Sequence, residues 1–454
     1  MNRWTSRQVA RVLGLANVPE MEFRSVQTDS RSLEPGSLFV ALVGDRFDGH
    51  DFLLQARQAG ATGAVVRHGT PPVAGLQMFE VDDPLAALGE LAHDRRSEIT
   101  GPVVAVTGTN GKTSVKEMLA SALSTRWEVH ATRANLNNLV GVPLTILTAP
   151  PTCQALVVEA GASEPGEIGR LRSIVEPTLA VITNVAQGHL SGFGSLEGVM
   201  QEKLALAEGV PLAVVGTDPP ALARQARRIA DRVIVAGFGA DADVRPDRAG
   251  LDGGGRGWLT LGNTRIELPL LGRHQLYNAM LALAVAQELA LDMAAVAGSL
   301  RTVSLPPGRC EVVKVGDMVI IQDTYNANPG SLRALLETAT GLRQDRPLVV
   351  MLGTMLELGR DSAALHAAMA DAVLAAEPHL IAALGEFAAA FERHRARLGD
   401  RLLLGEDPDT LGRALAQRLK GNELVLVKGS RGVRMERAIP HLLEDEEAHC
   451  STTS

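Results

Sequence analysis

The chain has 454 residues, 46% of them hydrophobic and 21% charged, with a formal net charge of −8. That is the balance of a folded globular protein of roughly three domains rather than of a disordered chain. Net acidity argues against a nucleic-acid partner, whose footprint is normally basic, and 3% aromatics leave little for base stacking.

The three cysteines, Cys153, Cys310 and Cys450, are odd in number, widely spaced and free of any CxxC pair. They predict neither a disulfide framework nor a zinc site, and they fit a reducing, cytoplasmic compartment. The amphipathic N-terminus lacks the apolar core of a signal peptide. No apolar run reaches membrane-spanning length, and the Ala-rich stretch 363–391 is broken by His366, Asp371, Glu377 and Glu386. The polar tail 444–454 is expected to fray.

In chain order, residues 1–98 read as a first, small α/β unit. Strands are expected at 37–42 and 63–66, a helix at 51–59, a proline-containing loop at 70–84 and a helix at 85–97. From 99 to 309, strand candidates at 102–107, 155–160, 179–184, 212–216 and 232–236 alternate with helical stretches, the signature of a mostly parallel sheet covered by helices. Residues 244–270 read as a small antiparallel region and 274–300 as helical. The cluster Pro306-Pro307-Gly308 marks a boundary. Beyond it, 310–454 predicts a second, doubly wound α/β unit with strands near 318–322, 347–352, 380–384 and 423–428. Ligands on such sheets gather at the carboxyl ends of the strands, where Asp323, Gly353 and Lys428 stand.

The most informative segment is Val104 to Ser114. An apolar β-branched run ends in Gly108-Thr109-Asn110-Gly111-Lys112-Thr113-Ser114, and a helical pattern follows. Strand, glycine turn, lysine, hydroxyls and helix N-terminus together predict a phosphate-binding loop, although Val106 stands where the general pattern has its first glycine. Lys112 is suited to the β/γ-phosphates and Thr113 or Ser114 to Mg²⁺. Glu159, at the end of a buried strand, is equally consistent with a magnesium ligand or with a helix cap or ion pair. His189 and Lys203 would not be selected on their own. Asn278, near the start of a helix, Arg309 at the domain boundary, and the polar loop Asp323–Pro329, with Asn326 and Asn328, could meet nucleotide or a peptide backbone.

Taken together, these segments resemble the Mur ligases over nearly the whole chain. The resemblance is carried by TDSR (28–31) and LFVALVGDRFDGHDF (38–52) in the first unit. It continues in the centre through TGTNGKTS (107–114), NLNNLVGVPLTIL (135–147), VVEAGASEPGEIGRL (157–171), TNVAQGHLSGFGS (183–195) and GRHQLYNA (272–279). PGR (307–309), YNANPGSL (325–332), MLELG (355–359) and VLVKGSR (425–431) extend it through the last unit. It implies three domains: 1–98 binding a UDP-linked substrate, a central P-loop-type ATPase at 99–309, and a Rossmann-like domain at 310–454.

Within the family the motifs look most like those of the branch that joins D-alanyl-D-alanine to UDP-N-acetylmuramoyl-tripeptide, using ATP and Mg²⁺, in peptidoglycan precursor synthesis. The resemblance implies that Glu159, His189 and Thr113 serve metal and that Lys203 is carbamylated to serve a second ion. It makes Lys112, Lys203 and His189 the catalytic set. ATP contacts are implied for Gly108, Thr109, Asn110, Gly111, Lys112, Thr113 and Ser114, and for Asn278, Arg309 and Asp323. Substrate contacts are implied for Ser30, Arg31, Gly49 and His50 in the first domain, and for Asn137, Asn138, Asn326 and Asn328. A cytoplasmic monomer is expected.

Four residues depart from the family pattern: Gly188, Gln275, Gln322 and Thr354, the last in place of an aspartate. The diaminopimelate-adding branch carries an Asp-Asn-Pro-Arg motif that is missing here. Folylpolyglutamate synthetase shares the ATPase core but not the first-domain segments. A non-catalytic nucleotide-binding protein is disfavoured by Lys112, Glu159, His189 and Lys203 standing together.

Overall fold

The computed structural model describes residues 4–16, 18–44 and 46–443. Cys450 and the tail expected to fray therefore lie outside the described residues. No described helix is long and apolar enough to cross a membrane.

The first domain is built on a parallel sheet in the order Val26–Gln27, Leu38–Val40, Gly63–Arg67, Gln77–Val81. The last of these strands corrects the loop expected over 70–84. Pro71 and Pro72 punctuate only the approach to it. The strand lies at the sheet edge with Phe79 as its one buried residue, so its pattern is too polar to stand out. Pro84–Ser97 forms a helix capped by Asp83, whose side chain accepts from Leu85 N.

That helix fixes the first domain to the second. Buried Arg95 donates to Ala149 O and Pro150 O at 3.1 Å, and Arg96 Nε donates to Val175 O at 2.6 Å. These carbonyls follow or end the helices Gly141–Leu147 and Glu167–Val175, where backbone acceptors lack intrahelical partners. Two guanidinium groups supply them.

The central sheet is all parallel, in the order Val129–Ala131, Ala155–Glu159, Val103–Thr107, Leu179–Ile182, Leu212–Gly216, Val233–Ala236. Helices cover both faces, which is why its inner strands are continuous apolar runs rather than alternating ones. Val129–Ala131 was not legible because it is a three-residue, half-buried edge strand. Strands Arg248–Leu251, Arg256–Leu261 and Thr264–Leu271 make the expected antiparallel region. The helical stretch after it is two helices, Arg273–Glu288 and Met293–Leu300, separated where Ala290 turns left-handed at φ 49°.

In the last domain the sheet order is Glu311–Val315, Met318–Asp323, Leu424–Lys428, Leu348–Leu352, Leu380–Leu384, Leu402–Gly405. All neighbours are parallel except the first pair. The two outer strands are the ones the sequence did not signal, each being partly exposed. Insertion of Leu424–Lys428 between two earlier strands sets Lys428 in register with both Asp323 and Leu352. The polar residues at these carboxyl ends face the central domain.

Candidate active site

Thr107 ends the central strand, and the chain turns through Gly108 to Gly111 into the helix Lys112–Leu123. Gly108 has φ 142°, and a Cβ there would fall 2.0 Å from Thr183 Oγ1. Gly111 has φ 82°, and a Cβ there would fall 2.3 Å from Asn278 Oδ1. Both positions need glycine: backbone strain and the close approach of a neighbouring chain each forbid a side chain. The neighbours hold the loop. Thr183 Oγ1 donates to Asn110 O at 2.6 Å, and Asn110 N donates to Asn184 Oδ1 at 3.0 Å. Thr183 and Asn184 thus leave the strand expected at 179–184 to brace the loop.

Lys112 Nζ donates to Gly108 O (2.8 Å) and Thr109 O (3.1 Å), so it folds back over the loop that it opens. Burial pushes its ammonium below the usual lysine range, against the attraction of Glu159. Glu159 is itself buried, with Oε2 accepting from Thr113 Oγ1 at 2.7 Å and Oε1 from Asn137 Nδ2 at 2.9 Å. A carboxylate and a hydroxyl beside the loop are hard oxygen donors of the kind Mg²⁺ takes. Among the described residues no group of three or more His, Cys, Asp and Glu side chains is spaced to hold an ion.

Lys203 sits on the helix Leu196–Leu204 and is fully buried, with Nζ 5.2 Å from the Phe193 ring centroid. Among the described residues it makes no ion pair. Its neighbour Glu202 is bound instead by Gly166 N and Ile168 N at 2.7 Å. Burial, and then the charge of Lys112, lower the Lys203 pKa to about 7. His189 holds a left-handed turn at φ 55°, and its Nδ1 lies 2.5 Å from Glu357 Oε2 of the last domain, without the alignment of a regular hydrogen bond. The ring beside it holds the Glu357 carboxyl below its usual range.

A cavity of about 760 Å³ opens between the central and last domains. It gathers the loop from Thr109 to Ser114 with Glu159, Asn137, Asn138, His189 and Asn278. From the boundary and the last domain come Arg309, Asp323 and Asn326. Arg309 stacks its guanidinium 3.9 Å over the Tyr325 ring, and its buried Nε has no partner. Asp323 is ion-paired to Lys428, whose Nζ also donates to Asn326 O at 2.8 Å. Asn328 lies just outside the cavity, where its Nδ2 reaches Asn110 Oδ1 at 2.7 Å.

Gly108 and Lys203 do not line this cavity, nor do the first-domain candidates. Arg31 is paired with Asp29 at 2.7 Å, Gly49 N donates to Leu42 O, and Ser30 is buried. His50 has both ring nitrogens engaged, Nδ1 with Asp48 Oδ1 at 2.5 Å and Nε2 accepting from Arg67 N at 3.0 Å. Sequence reasoning passed over the bracing pair Thr183 and Asn184, and it did not foresee Glu357 as the partner of His189. The position of Glu357 inside MLELG was the available signal.

Comparison with known proteins agrees across the chain. The Mur ligase family, catalytic domain, matches residues 22–96; the Mur ligase middle domain matches 106–286; and the Mur ligase, glutamate ligase domain, matches 308–431. The UDP-N-acetylmuramoyl-tripeptide–D-alanyl-D-alanine ligase of Escherichia coli is 34% identical over 432 residues, covering 93% of this chain and 94% of that one. A crystal structure of MurF from Acinetobacter baumannii superposes with a TM-score of 0.89 at 30% identity, covering 98% of this chain and 99% of that one. MurF from Thermotoga maritima in complex with ADP gives a TM-score of 0.81 at 28% identity, covering 94% and 98%. The phosphate loop, the domain plan and these relatives agree that the chain belongs to the Mur ligase family.

Proposed function

We propose that this chain joins D-alanyl-D-alanine to UDP-N-acetylmuramoyl-tripeptide at the expense of ATP, as the Escherichia coli relative's name describes for that protein. The observation that carries the reading is the shared cavity. It sets a phosphate-loop lysine of one domain opposite an arginine and amide side chains associated with the other. ATP binding is supported by the loop geometry and by the ADP complex of the Thermotoga relative.

The reaction has two steps. A carboxylate oxygen of the tripeptide attacks the γ-phosphorus, the bond to the β-phosphate oxygen breaks, and an acyl phosphate and ADP result. The dipeptide amine then attacks the acyl carbon, loses a proton, and phosphate leaves with the bridging oxygen. Both reactants of the first step are anions. Lys112 counters their repulsion by exchanging its two loop carbonyls for phosphate oxygens, and the amides at the helix N-terminus add their dipoles. Arg309, whose Nε has no partner, offers its donors to the nucleotide from the domain boundary. Asn326 offers amide groups to a peptide backbone.

Glu159 and Thr113 are the residues that would hold Mg²⁺, with His189 turned toward the same cavity. When bound, the ion neutralises phosphate charge and polarises the transferring group. Lys203 takes up CO₂ as its neutral free amine and releases one proton, which leaves a buried carbamate anion in place of a neutral group. In the first domain, Arg31 and His50 take the UDP end of the substrate. We place the enzyme in the cytoplasm, as a monomer.

The test is phosphate release from ATP and Mg²⁺ with UDP-linked tripeptide, comparing D-alanyl-D-alanine with single amino acids. Release that requires the dipeptide supports the reading. Release only with a single amino acid moves the chain to another branch of the family.

A further inference from the structure

His189 belongs to the central domain and Glu357 to the last, yet their side chains meet at 2.5 Å. The backbone repeats the contact, with Ser191 N donating to Glu357 O at 3.2 Å. Glu357 is presented on a strained turn, its φ being 65° without a glycine's freedom. Such a turn persists only if its surroundings over-determine it, and they do. Leu356 N donates to Ser430 Oγ at 2.9 Å, and Met355 N donates to His366 Nε2 at 2.9 Å.

His366 is completely buried, an unusual place for an imidazole. Its bonds define its form. Nδ1 donates to Ser362 O at 2.8 Å, which leaves Nε2 as the acceptor for Met355. The ring packs edge-on against Phe387 at 4.7 Å. An apolar side chain of the same volume would strand the buried Met355 amide.

We propose that Glu357 is a positioning residue for His189. Its carboxylate stands 2.5 Å from the Nδ1 side of the ring, short of a regular hydrogen bond, and holds the ring with Nε2 toward the cavity that His189 lines; buried His366 fixes the turn that carries Glu357. A histidine that ligates metal ordinarily gives its other nitrogen to a carboxylate or carbonyl, which sets its tautomer and angle. Here that carboxylate comes from the last domain, so the contact between the two domains and the binding of the ion are coupled. The inference rests on the ligase reading for its biological meaning, though not for its test.

The test is ion binding rather than turnover. Mn²⁺ is titrated into the full chain with ADP and followed by electron paramagnetic resonance, with thermal unfolding recorded for each variant. Glu357→Ala is expected to weaken Mn²⁺ about 10- to 100-fold, the usual cost of removing such a partner. His366→Leu is expected to weaken it comparably. His366→Gln, whose amide oxygen reaches the place of Nε2, restores most of the affinity, and His366→Asn, too short to reach Met355, does not. Adding His366→Leu to Glu357→Ala costs nothing further, because both act through one contact. If His366→Leu does not fold, the Gln and Asn variants decide. Unchanged Mn²⁺ affinity in Glu357→Ala, or losses that multiply in the double variant, overturns the proposal. Product formation by the wild-type chain is assayed alongside, so a failed ligase reading appears as missing product and a failed positioning role as unchanged affinity.

Discussion

Asn328 Nδ2 donates to Asn110 Oδ1 at 2.7 Å, which ties the first turn of a last-domain helix to the phosphate loop of the central domain. The same side chain caps its own helix, Pro329–Leu342, through Oδ1 and Ser331 N. The two roles can be separated. Asn328→Asp keeps the cap oxygen and loses the donor to Asn110. It should melt near wild type while kcat/KM for the dipeptide falls about tenfold. Asn328→Ala should lose the cap as well, costing about 1 kcal/mol in urea unfolding.

Lys112 is the cation on which the proposed phosphoryl transfer depends, and its ammonium donates to the backbone carbonyls of Gly108 and Thr109. Lys112→Ala should reduce turnover by at least about a thousandfold, as for loss of a charge aimed at the transferring group. Stability should hold or rise slightly, since burial already disfavours the ammonium. Turnover within tenfold of wild type would remove Lys112 from the mechanism.

Lys203 gives a pH signature. Its folded-state pKa is lowered to about 7 from 10.5, so the ammonium dominates below about 7 and the free amine above it. Only the free amine adds CO₂. Bicarbonate added to CO₂-depleted enzyme should therefore activate strongly at about pH 8 and little at about pH 6, and Lys203→Ala should remove the response. In the CO₂-free chain the unfolded state binds the extra proton between 7 and 10.5, so this group makes stability rise with pH across that window.

Arg309 stacks on Tyr325 and keeps a buried, unpartnered Nε. A lysine can match its charge but neither the planar stack nor the fork of donors. Arg309→Lys should raise the Kd for ATP about tenfold by calorimetry. Equal affinity would assign Arg309 a structural role at the boundary.

The central domain was largely legible because its strands are buried on both faces and read as unbroken apolar runs. The phosphate loop was legible because Gly108 and Gly111 sit where only glycine fits. Several edge strands escaped: Gln77–Val81 buries one residue, and Val129–Ala131 is three residues long, whereas the edge strand Val233–Ala236 buries three of its four residues and was legible. The site divides the same way. Local chemistry pointed to Lys112 and Thr113, whereas His189 and Lys203 came only from family resemblance. Their physical context is long-range: a carboxylate 168 positions away in sequence for His189 (357 − 189), and burial within reach of the Lys112 charge for Lys203. No local pattern encodes such partners.

Whether an acyl phosphate forms in the shared cavity can be read from an isotope. UDP-linked tripeptide carrying ¹⁸O in its terminal carboxylate is incubated with the enzyme, ATP, Mg²⁺ and D-alanyl-D-alanine, and products are read by mass spectrometry. UDP-linked pentapeptide and one ¹⁸O in each phosphate released are expected. Pentapeptide with unlabelled phosphate, or labelled phosphate with a single amino acid as the only acceptor, would contradict the proposed reaction.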